Sequence, residues 1–430
     1  MTNKRIAVIT EHASPLAALG GTDCGGQNVY VRELAIELAR RGHYVDVFTR
    51  RETADAATIV QFAPRVRIVH VEAGPPRCLP KEDLLPFMPE FADFMIDFAE
   101  LTDETYDVLH ANFWTSGVAA MRVKRATGTP VVITFHALGR VRRMHQGADD
   151  GFPAERGDIE EDLVAEADAV IAECPQDAAD LMELYHAPRN KLRVVPCGVD
   201  CRRFAPVDRR KARSVLGLDD DAPTLLQLGR MVPRKGIADV VRAVGSLRHT
   251  HHIPARLLVV GGATNVPDES ATPHLADLRR VAQEHDVADA VDFVGRRGGD
   301  QLRYYYCAAD LFVTTPWYEP FGITPLEAMA CGTPVIGSSV GGIKHTVVDG
   351  ETGILVPPRD PEAIASAAAT LLGDSTLWQR MSRNAIRRVH SCFRWGDVVA
   401  EIDNLYNHVI ADRRRELPVD VQIAASELSA

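Results

Sequence analysis

The chain has 430 residues, of which 46% are hydrophobic and 25% are charged, so we expect a globular protein of two or three domains. Its 48 basic and 59 acidic side chains give a net charge of −11, which disfavours nucleic acid as a partner. No apolar run approaches the roughly 18 residues of a transmembrane helix, and the first run is too short for a signal peptide. The eight scattered cysteines lack the spacing of a disulfide framework or a zinc site. We therefore predict a cytoplasmic protein that holds no metal.

Strand and helix patterns alternate through the first half of the chain. A short apolar run at 5–10 predicts a buried strand, and apolar residues at 31, 34, 35 and 38 predict one face of a helix over 27–41. Further strands are predicted at 44–49, 66–71, 108–111, 131–134, 169–171 and 192–195. This repeated βα order indicates a parallel sheet covered on both faces.

A second run of alternating elements follows a turn-rich linker at 196–206. Strands are predicted at 224–228, 256–260, 291–294, 311–314, 334–337 and 354–356, with helices such as 236–247 and 361–372. Asp360 and Pro361 suit the start of the last of these helices. The chain is thus predicted to hold two doubly wound α/β domains, and ligands of such sheets bind beyond the carboxyl ends of the strands.

Two loops at predicted strand ends have the composition of anion sites. Loop 20–27 is rich in glycine and opens the first helix, so its backbone N–H groups can approach an anion; a plain flexible loop is the alternative. Loop 229–236 places Arg230, Arg234 and Lys235 between a strand and a helix. These cations suit phosphate oxygens, and solvated surface charge is the alternative.

Two further loops carry side chains suited to hydrogen bonding with a substrate. Segment 319–328 sets Glu319 and Glu327 across a strand-to-helix turn, and carboxylates accept well from paired sugar hydroxyls. The alternatives are a capping role for the first and a surface position for the second. Segment 134–143 sets His136 at a strand end, before arginines that would hold an anionic substrate; a structural histidine is the alternative.

Taken together, these motifs resemble glycosyltransferase family 4, the retaining sugar-nucleotide transferases of the GT-B fold, over about residues 5–400. The most specific stretch is 319–336, which reads EPFGITPLEAMACGTPVI. Segments 25–31 and 136–140 resemble the sucrose-phosphate-synthase branch and the mycothiol-pathway glycosyltransferases. The resemblance implies an α/β protein of the GT-B type, with two Rossmann-like doubly wound domains facing a central cleft.

The resemblance also implies roles for individual residues. Arg230 and Lys235 would grip the donor diphosphate, Glu319 would bind the donor sugar and Glu327 the ribose. His136 would lie beside the donor sugar. The predicted catalytic set is His136, Arg230, Lys235 and Glu319. The predicted donor site comprises Gly25, Gly26, Arg230, Lys235, Arg296, Glu319, Phe321, Gly322, Ile323 and Glu327.

The acceptor site is predicted in the first domain. Phe113 and Ala137 stand where the mycothiol-pathway enzymes have a Tyr and a Thr that help to hold an acceptor phosphate, whereas the charged partners are kept as Lys81 and Arg156. The predicted acceptor residues are Gln27, Lys81, Phe113, Arg140 and Arg156. We predict a small phosphorylated sugar or polyol as the acceptor and leave a neutral or lipid-linked acceptor open.

The predicted domains are an acceptor-binding domain over 1–203, a nucleotide-sugar-binding domain over 204–394, a returning helix over 395–411 and a tail over 412–430. The predicted enzyme is a hexosyltransferase that uses a nucleoside-diphosphate sugar and needs neither cofactor nor metal. Alternatives are an epimerase or phosphorylase of the same fold and a sugar-nucleotide-binding protein without activity. An oxidoreductase would need a dinucleotide fingerprint, which is missing. The oligomeric state is left open, a homo-oligomer included.

Overall fold

The computed structural model describes residues 3–17, 25–218 and 222–416. The described residues divide into two compact units. The first takes them from Met1–Leu16, Gln27–Val195 and Gly396–Ala430, and the second from Ala17–Gly26 and Pro196–Trp395. Most of the predicted glycine-rich loop, from Gly20 to Cys24, and the predicted tail beyond Glu416 lie outside the described residues.

The first unit is built on an eight-stranded sheet in the order β3-β4-β2-β1-β5-β6-β7-β8. Its strands are β1 (Arg5–Ile9), β2 (Tyr44–Arg50), β3 (Ile59–Ala63), β4 (Val66–Val71), β5 (Val108–Asn112), β6 (Val131–Thr134), β7 (Ala169–Ala172) and β8 (Leu192–Val194). Its helices are α1 (Gly26–Arg40), α2 (Met88–Thr102), α3 (Trp114–Thr127), α4 (Gly139–Gln146), α5 (Arg156–Glu166) and α6 (Pro175–Tyr185).

The expectation of a wholly parallel sheet is wrong at one edge. β3 was not predicted, and it pairs antiparallel with β4 across a tight turn in which Arg65 has a φ of 63°. An edge strand has only one neighbour, and β3 is partly exposed along its length, so its sequence lacks the continuous apolar run of the buried strands. All the other neighbouring strands of this sheet pair in parallel.

The second unit is built on a six-stranded parallel sheet in the order β11-β10-β9-β12-β13-β14. Its strands are β9 (Thr224–Leu228), β10 (Arg256–Val260), β11 (Val291–Gly295), β12 (Leu311–Thr314), β13 (Val335–Ser338) and β14 (Gly353–Val356). Its helices are α7 (Arg209–Leu216), α8 (Ile237–His249), α9 (His274–Glu284), α10 (Gln301–Ala308), α11 (Ile323–Ala330), α12 (Ile343–Thr346), α13 (Pro361–Gly373) and α14 (Ser375–Cys392).

Local sequence signals account for much of this architecture. The apolar strands are buried in both sheets, and helices pack over them to form buried apolar clusters in each unit. At α13, Oδ1 of Asp360 accepts from the backbone N–H of Ala363 at 2.9 Å, which is the predicted cap. Successive βα units align the carboxyl ends of the strands, and the loops that follow those ends carry the predicted site residues.

The last helix, α15 (Trp395–Glu416), completes the first unit from the far end of the chain. The Nζ of Lys4 donates to Oδ1 of Asp403 at 2.6 Å, and the hydroxyl of Tyr406 lies 2.6 Å from Nδ1 of His110. The helix extends past the predicted end at 411. No helix in the described ranges is long and apolar enough to cross a membrane.

Candidate active site

An ion pair between Lys235 and Glu319 lies at the centre of the second unit's predicted site. Lys235 follows β9 in a short 3₁₀ turn, and Glu319 follows β12, which is paired with β9 in the sheet. The ammonium of Lys235 donates to Oε2 of Glu319, and the two side chains are only 19% and 15% exposed. The sheet therefore brings together two residues that lie 84 positions apart in the sequence.

The charges around this pair are largely basic. Burial lowers the pKa of Lys235 to about 8, although Glu319 acts in the opposite direction. Burial also acts against the charge of Glu319, but Lys235, Arg234 and Arg230 lower the pKa of that carboxyl below its ordinary value. Arg234 lies 4.0 Å from Glu319 and packs on the ring of Tyr318. An anionic ligand would compete with Glu319 for these cations.

A close approach of two backbones fixes the loop that carries Glu319. The amide of Gly342 donates to the carbonyl of Glu319 at 3.1 Å, and a Cβ on Gly341 would lie 1.9 Å from that oxygen. Gly341 also has a φ of 44°, so this position favours glycine. Gly322, with a φ of 88°, then turns the chain into α11. The pair of glycines at 341–342 thus holds the loop through backbone contacts.

Glu327 lies on α11 and makes a buried hydrogen bond with Tyr306 on α10. It is 8% exposed, and its Oε2 accepts from the hydroxyl of Tyr306 at 2.7 Å. Burial raises the pKa of Glu327 to about 7, with Tyr306 and Arg203 acting in the opposite direction. Its Oε1 has no hydrogen-bond partner within the described residues, which leaves that oxygen for a ligand hydroxyl. A plain surface position, the alternative considered for Glu327, is wrong.

The remaining predicted donor residues differ in their surroundings. Phe321 is buried and packs on Phe393, with ring centres 6.3 Å apart, so only its backbone can meet a ligand. Ile323 opens α11. Arg296 follows β11, and its Nε donates to Asn265 at 3.3 Å, so its described contact is with the neighbouring loop rather than with Glu319. Gly25 and Gly26 belong to the second compact unit, although the rest of α1 belongs to the first.

His136 lies at the carboxyl ends of three adjacent strands of the first unit. It follows β6, and its ring is held between Asn112 at the end of β5 and Glu173 after β7. Nε2 lies 3.0 Å from Oδ1 of Asn112, and Nδ1 lies 3.1 Å from Oε1 of Glu173. The residue has a φ of 57°, a left-handed conformation that few residues other than glycine adopt. The ring is therefore fixed from two sides.

Below this ring, His110 has a structural role. Its two ring nitrogens face Tyr406 and Thr134, at 2.6 and 2.9 Å. Burial, and then the charge of His136, lowers the pKa of His110 to about 3. His110 is therefore neutral at physiological pH and ties α15 to the sheet.

Arg156 is the most enclosed of the predicted acceptor residues. Its side chain is 2% exposed, its Nε donates to Glu160 at 2.7 Å, and a second nitrogen donates to the carbonyl of Ala137. The guanidinium packs over the rings of Phe113 and Phe152, at 4.9 and 4.3 Å from their centres. Its Nη1 is buried and has no hydrogen-bond partner in the described structure. A buried N–H without a partner is costly, which makes this atom a candidate for a ligand contact.

The other predicted acceptor residues have protein partners. Arg140 contacts Asp158 and Glu161, at 3.0 and 2.7 Å, so its charge is already countered. Gln27, on α1, donates to the carbonyl of Asn112 at 3.1 Å. Lys81 lies in a short 3₁₀ turn, 3.5 Å from Glu82. The roles assigned to these residues from the sequence stay predictions.

Sequence reasoning did not single out five residues that the structure brings to these sites: Glu11, His12, Asn112, Glu173 and Tyr306. Four of them lie at the carboxyl ends of strands, where the same topological rule could have found them. Tyr306 lies inside a helix and has no such signal. No cluster of three or more His, Cys, Asp or Glu side chains suited to a metal occurs in the described ranges.

Two family models match the chain, one on each half. The model described as Glycosyltransferase Family 4 matches residues 24–203, and the model described as Glycosyl transferases group 1 matches residues 208–388.

Curated relatives match over almost their whole length. A D-inositol 3-phosphate glycosyltransferase of Acidothermus cellulolyticus is 37% identical, over 96% of this chain and 92% of the relative. A protein of the same name from Corynebacterium glutamicum is 33% identical, over 95% of this chain and 97% of the relative. Among solved structures, the sucrose-phosphate synthase of Thermosynechococcus elongatus superposes with a TM-score of 0.87 at 34% identity, covering 95% of this chain and all of that one.

Proposed function

Since this chain belongs to glycosyltransferase family 4 and is a hexosyltransferase of the GT-B fold, as its sequence predicts, we propose that its substrates are a nucleoside-diphosphate sugar and a small phosphorylated polyol or sugar. The observation that carries the donor half of this proposal is the partly buried ion pair of Lys235 and Glu319, with Arg230 and Arg234 beside it. The acceptor half rests on the names of the relatives and on the enclosed guanidinium of Arg156.

The leaving diphosphate would be stabilised by cations that are already in position. Negative charge grows on the diphosphate as the glycosidic bond breaks, and fixed cations at a partly dry site act strongly on that charge. Lys235 and Arg230 would bind its oxygens, assisted by the free N–H groups at the start of α11. When the diphosphate takes the ammonium of Lys235, the carboxylate of Glu319 becomes available to accept from hydroxyls of the donor sugar.

Glu327 would hold the nucleoside. Its Oε2 is oriented by Tyr306, which leaves Oε1 to accept from a ribose hydroxyl. An ionised carboxylate accepts hydrogen bonds and carries no proton to give, so this contact would position the nucleotide rather than react with it.

His136 would support transfer without becoming a covalent nucleophile. We propose that the acceptor attacks from the face that the diphosphate leaves, so that a phosphate oxygen of the donor takes the acceptor proton and the anomeric configuration is kept. His136, fixed by Asn112 and Glu173, would orient the sugar and stabilise positive character at its ring. Trapping a glycosyl adduct on any side chain, or an inverted product by NMR, would refute this mechanism.

We propose that transfer needs no metal or other cofactor, because the described cations supply the charge that a divalent ion would otherwise provide. Activity should therefore persist in EDTA. A complete loss of activity that Mg²⁺ restores would contradict this proposal. The cytoplasmic location expected from the sequence is likewise part of the proposal.

The acceptor is tested by matched substrates. We expect the purified chain, supplied with the nucleotide sugar that gives the largest thermal shift, to use D-inositol 3-phosphate with a higher kcat/KM than inositol. A preference of roughly tenfold or more corresponds to the free energy of one charge-assisted hydrogen bond. Equal use of both compounds, or exclusive use of a neutral or lipid-linked acceptor, would refute the assignment of a phosphorylated acceptor. The assignment of the donor would be unaffected.

A further inference from the structure

A buried arginine lies at the carboxyl end of β2 in the first unit. Arg50 is the last residue of this strand and is only 2% exposed. Its Nη2 lies 3.9 Å from a carboxylate oxygen of Glu52, which is itself 43% exposed, so this ion pair is weak. Burial lowers the pKa of Arg50, with Glu52 and Cys78 acting in the opposite direction. A buried charge of this kind is stable only when other polar groups replace its water.

The groups that replace water around Arg50 are carbonyls of the loop at 72–80, which follows β4. Nη1 donates to the carbonyl of Pro75 at 2.8 Å, and Nη2 donates to the carbonyl of Arg77 at 2.5 Å. Nη1 also donates to the carbonyl of Arg51 at 3.3 Å. Because the guanidinium is a rigid planar fork, these bonds fix two points of the loop relative to the strand.

The loop has few bonds of its own to determine its path. The described chain forms no helix or strand between Val71 and the 3₁₀ turn at 81–83, and its prolines at 75, 76 and 80 have no backbone N–H to donate. A second anchor comes from α2, where Oε2 of Glu90 accepts from the backbone N–H of Gly74 at 2.8 Å. Side chains from β2 and α2 therefore hold this loop in place.

The loop leads directly into Lys81, which opens the 3₁₀ turn. This turn lies beside the loop at 150–152, because a Cβ on Gly151 would stand 3.5 Å from Cγ of Glu82. The next residue, Phe152, packs its ring under the guanidinium of Arg156, with 4.3 Å between that group and the ring centre. The loop that Arg50 holds thus brings the turn of Lys81 to the surroundings of Arg156, the other charged residue of the predicted acceptor site.

We propose that Arg50 is a positioning residue for the acceptor, which fixes the loop that places the ammonium of Lys81 against the acceptor phosphate. This inference rests on the proposed function, since it assumes a phosphorylated acceptor and a binding role for Lys81. Arg50 does not itself touch a substrate, because both outer nitrogens of its guanidinium donate to carbonyls. Its replacement should weaken acceptor binding through Lys81 and leave donor binding as it is.

The first test measures how each substrate responds to changes at Arg50. Arg50→Lys retains the charge but has a single terminal nitrogen, so it cannot hold both carbonyls in the geometry of the fork. We expect KM for D-inositol 3-phosphate to rise by about fivefold to tenfold, with kcat and KM for the nucleotide sugar within about twofold of wild type. Arg50→Gln also removes the charge and should raise the acceptor KM further. Melting temperatures show whether each variant has folded, and Arg50→Lys suffices if Arg50→Gln does not fold.

The second test is a double-mutant cycle with Lys81→Ala. If Arg50 acts through Lys81, then Arg50→Lys should raise the acceptor KM by less than about twofold once the ammonium is already absent. A general structural role would instead multiply the effects of the two single variants. The cycle therefore distinguishes the positioning of Lys81 from a loss of local structure.

The matched control is Arg67→Lys. Arg67 belongs to the same unit, lies near the amino end of β4, and donates to the carboxylate of Asp46 at 2.6 and 2.7 Å. The same substitution at this position should lower the melting temperature and leave KM for the acceptor unchanged. A rise in acceptor KM that occurs at Arg50 and not at Arg67 then cannot be caused by lower stability alone.

The outcomes separate this inference from the proposed function. If wild type shows no preference for D-inositol 3-phosphate over inositol, the proposed acceptor and the role of Arg50 both fail. If wild type has the preference and Arg50→Lys leaves the acceptor KM unchanged, only the role of Arg50 fails. Multiplied effects in the double variant, or an unchanged acceptor KM in Lys81→Ala, would refute positioning through Lys81 while the proposed function stands.

Discussion

At the scale of single residues, two shifted ionisations should set the pH range of nucleotide binding. Glu327, with a pKa of about 7, loses its negative charge below that pH, and Lys235, with a pKa of about 8, loses its positive charge above it. We expect the affinity for a nucleoside diphosphate to be greatest between about pH 7 and 8 and to fall on both sides. Calorimetry at a series of pH values measures this. Glu327→Gln should flatten the acidic side and Lys235→Arg the alkaline side, since arginine stays charged. Unchanged slopes in both variants would contradict the assignment.

Lys235 should also carry much of the rate. Its ammonium is in place before the diphosphate leaves, so Lys235→Ala should lower kcat by on the order of 10²–10³. The variant leaves Glu319 partly buried without its partner, and Lys235→Ala combined with Glu319→Gln separates the loss of the cation from that stress. Steady-state kinetics measures the effect of losing the cation on kcat, and melting temperatures measure the effect of the unpaired carboxylate on stability. A kcat within a few-fold of wild type would show that the ammonium is dispensable.

Glu173 should affect the rate of transfer because it orients the imidazole ring of His136. In Glu173→Ala the imidazole of His136 loses its hydrogen bond at Nδ1 and keeps the one to Asn112, together with the edge-on packing of Tyr30. A misplacement of about 1 Å costs up to about 10² in rate, so we expect kcat to fall while KM for the donor changes little. Glu173→Gln retains a hydrogen-bonding oxygen at that position and should recover part of the loss. Equal kcat in both variants and wild type would show that the ring needs no such support.

At the scale of elements, the loop of Glu319 depends on a backbone contact that admits no side chain. Gly341→Ala would place a Cβ 1.9 Å from the carbonyl of Glu319 and would strain a φ of 44°. We expect a loss of about 1–3 kcal/mol in unfolding free energy, with weaker nucleotide binding. Gly373→Ala, where no atom lies within 4 Å of the added carbon, is the matched control. Denaturant titration measures the unfolding free energy of both variants, and calorimetry measures their nucleotide affinity. Equal values in the two variants would show that the close backbone contact at Gly341 is not needed.

The elements also show what the sequence can and cannot predict. The strands β9, β10 and β12 have their predicted bounds because a buried parallel strand is a short apolar run between turns. The edge strand β3 was missed because its outer side faces solvent. The contact of Lys235 with Glu319 could be anticipated, as both follow strands, but their ion pair depends on which strands are neighbours. The buried carboxylate of Glu11 accepts from the hydroxyl of Thr115 on α3, which lies 104 positions away in the sequence. No local sequence pattern encodes such a contact.

At the scale of the whole molecule, α15 should stabilise the first unit through Asp403. This carboxylate is 2% exposed, and Lys4, Arg41 and His43 surround it at 2.6, 3.3 and 3.1 Å. Despite its burial, His43 and Lys4 lower the pKa of Asp403. A carboxyl with a lowered pKa adds its full stability above its unfolded pKa and loses it as the pH falls toward its folded pKa, so Asp403→Asn should cost about 3 kcal/mol at pH 7 and about 1 kcal/mol less near pH 3. Urea titrations at the two pH values measure this; an equal cost at both would contradict it.

The way the chain is shared between the two units has a consequence for synthesis on the ribosome. The second unit is mostly one continuous stretch, Pro196–Trp395, so nearly all of it has emerged before the chain ends. The first unit needs α15, which is made last; His110 must wait for Tyr406, 296 residues later. The unit whose synthesis begins first is therefore the unit that is completed last. A nascent chain stalled before residue 396 should hold a folded second unit, together with a first unit that still lacks α15.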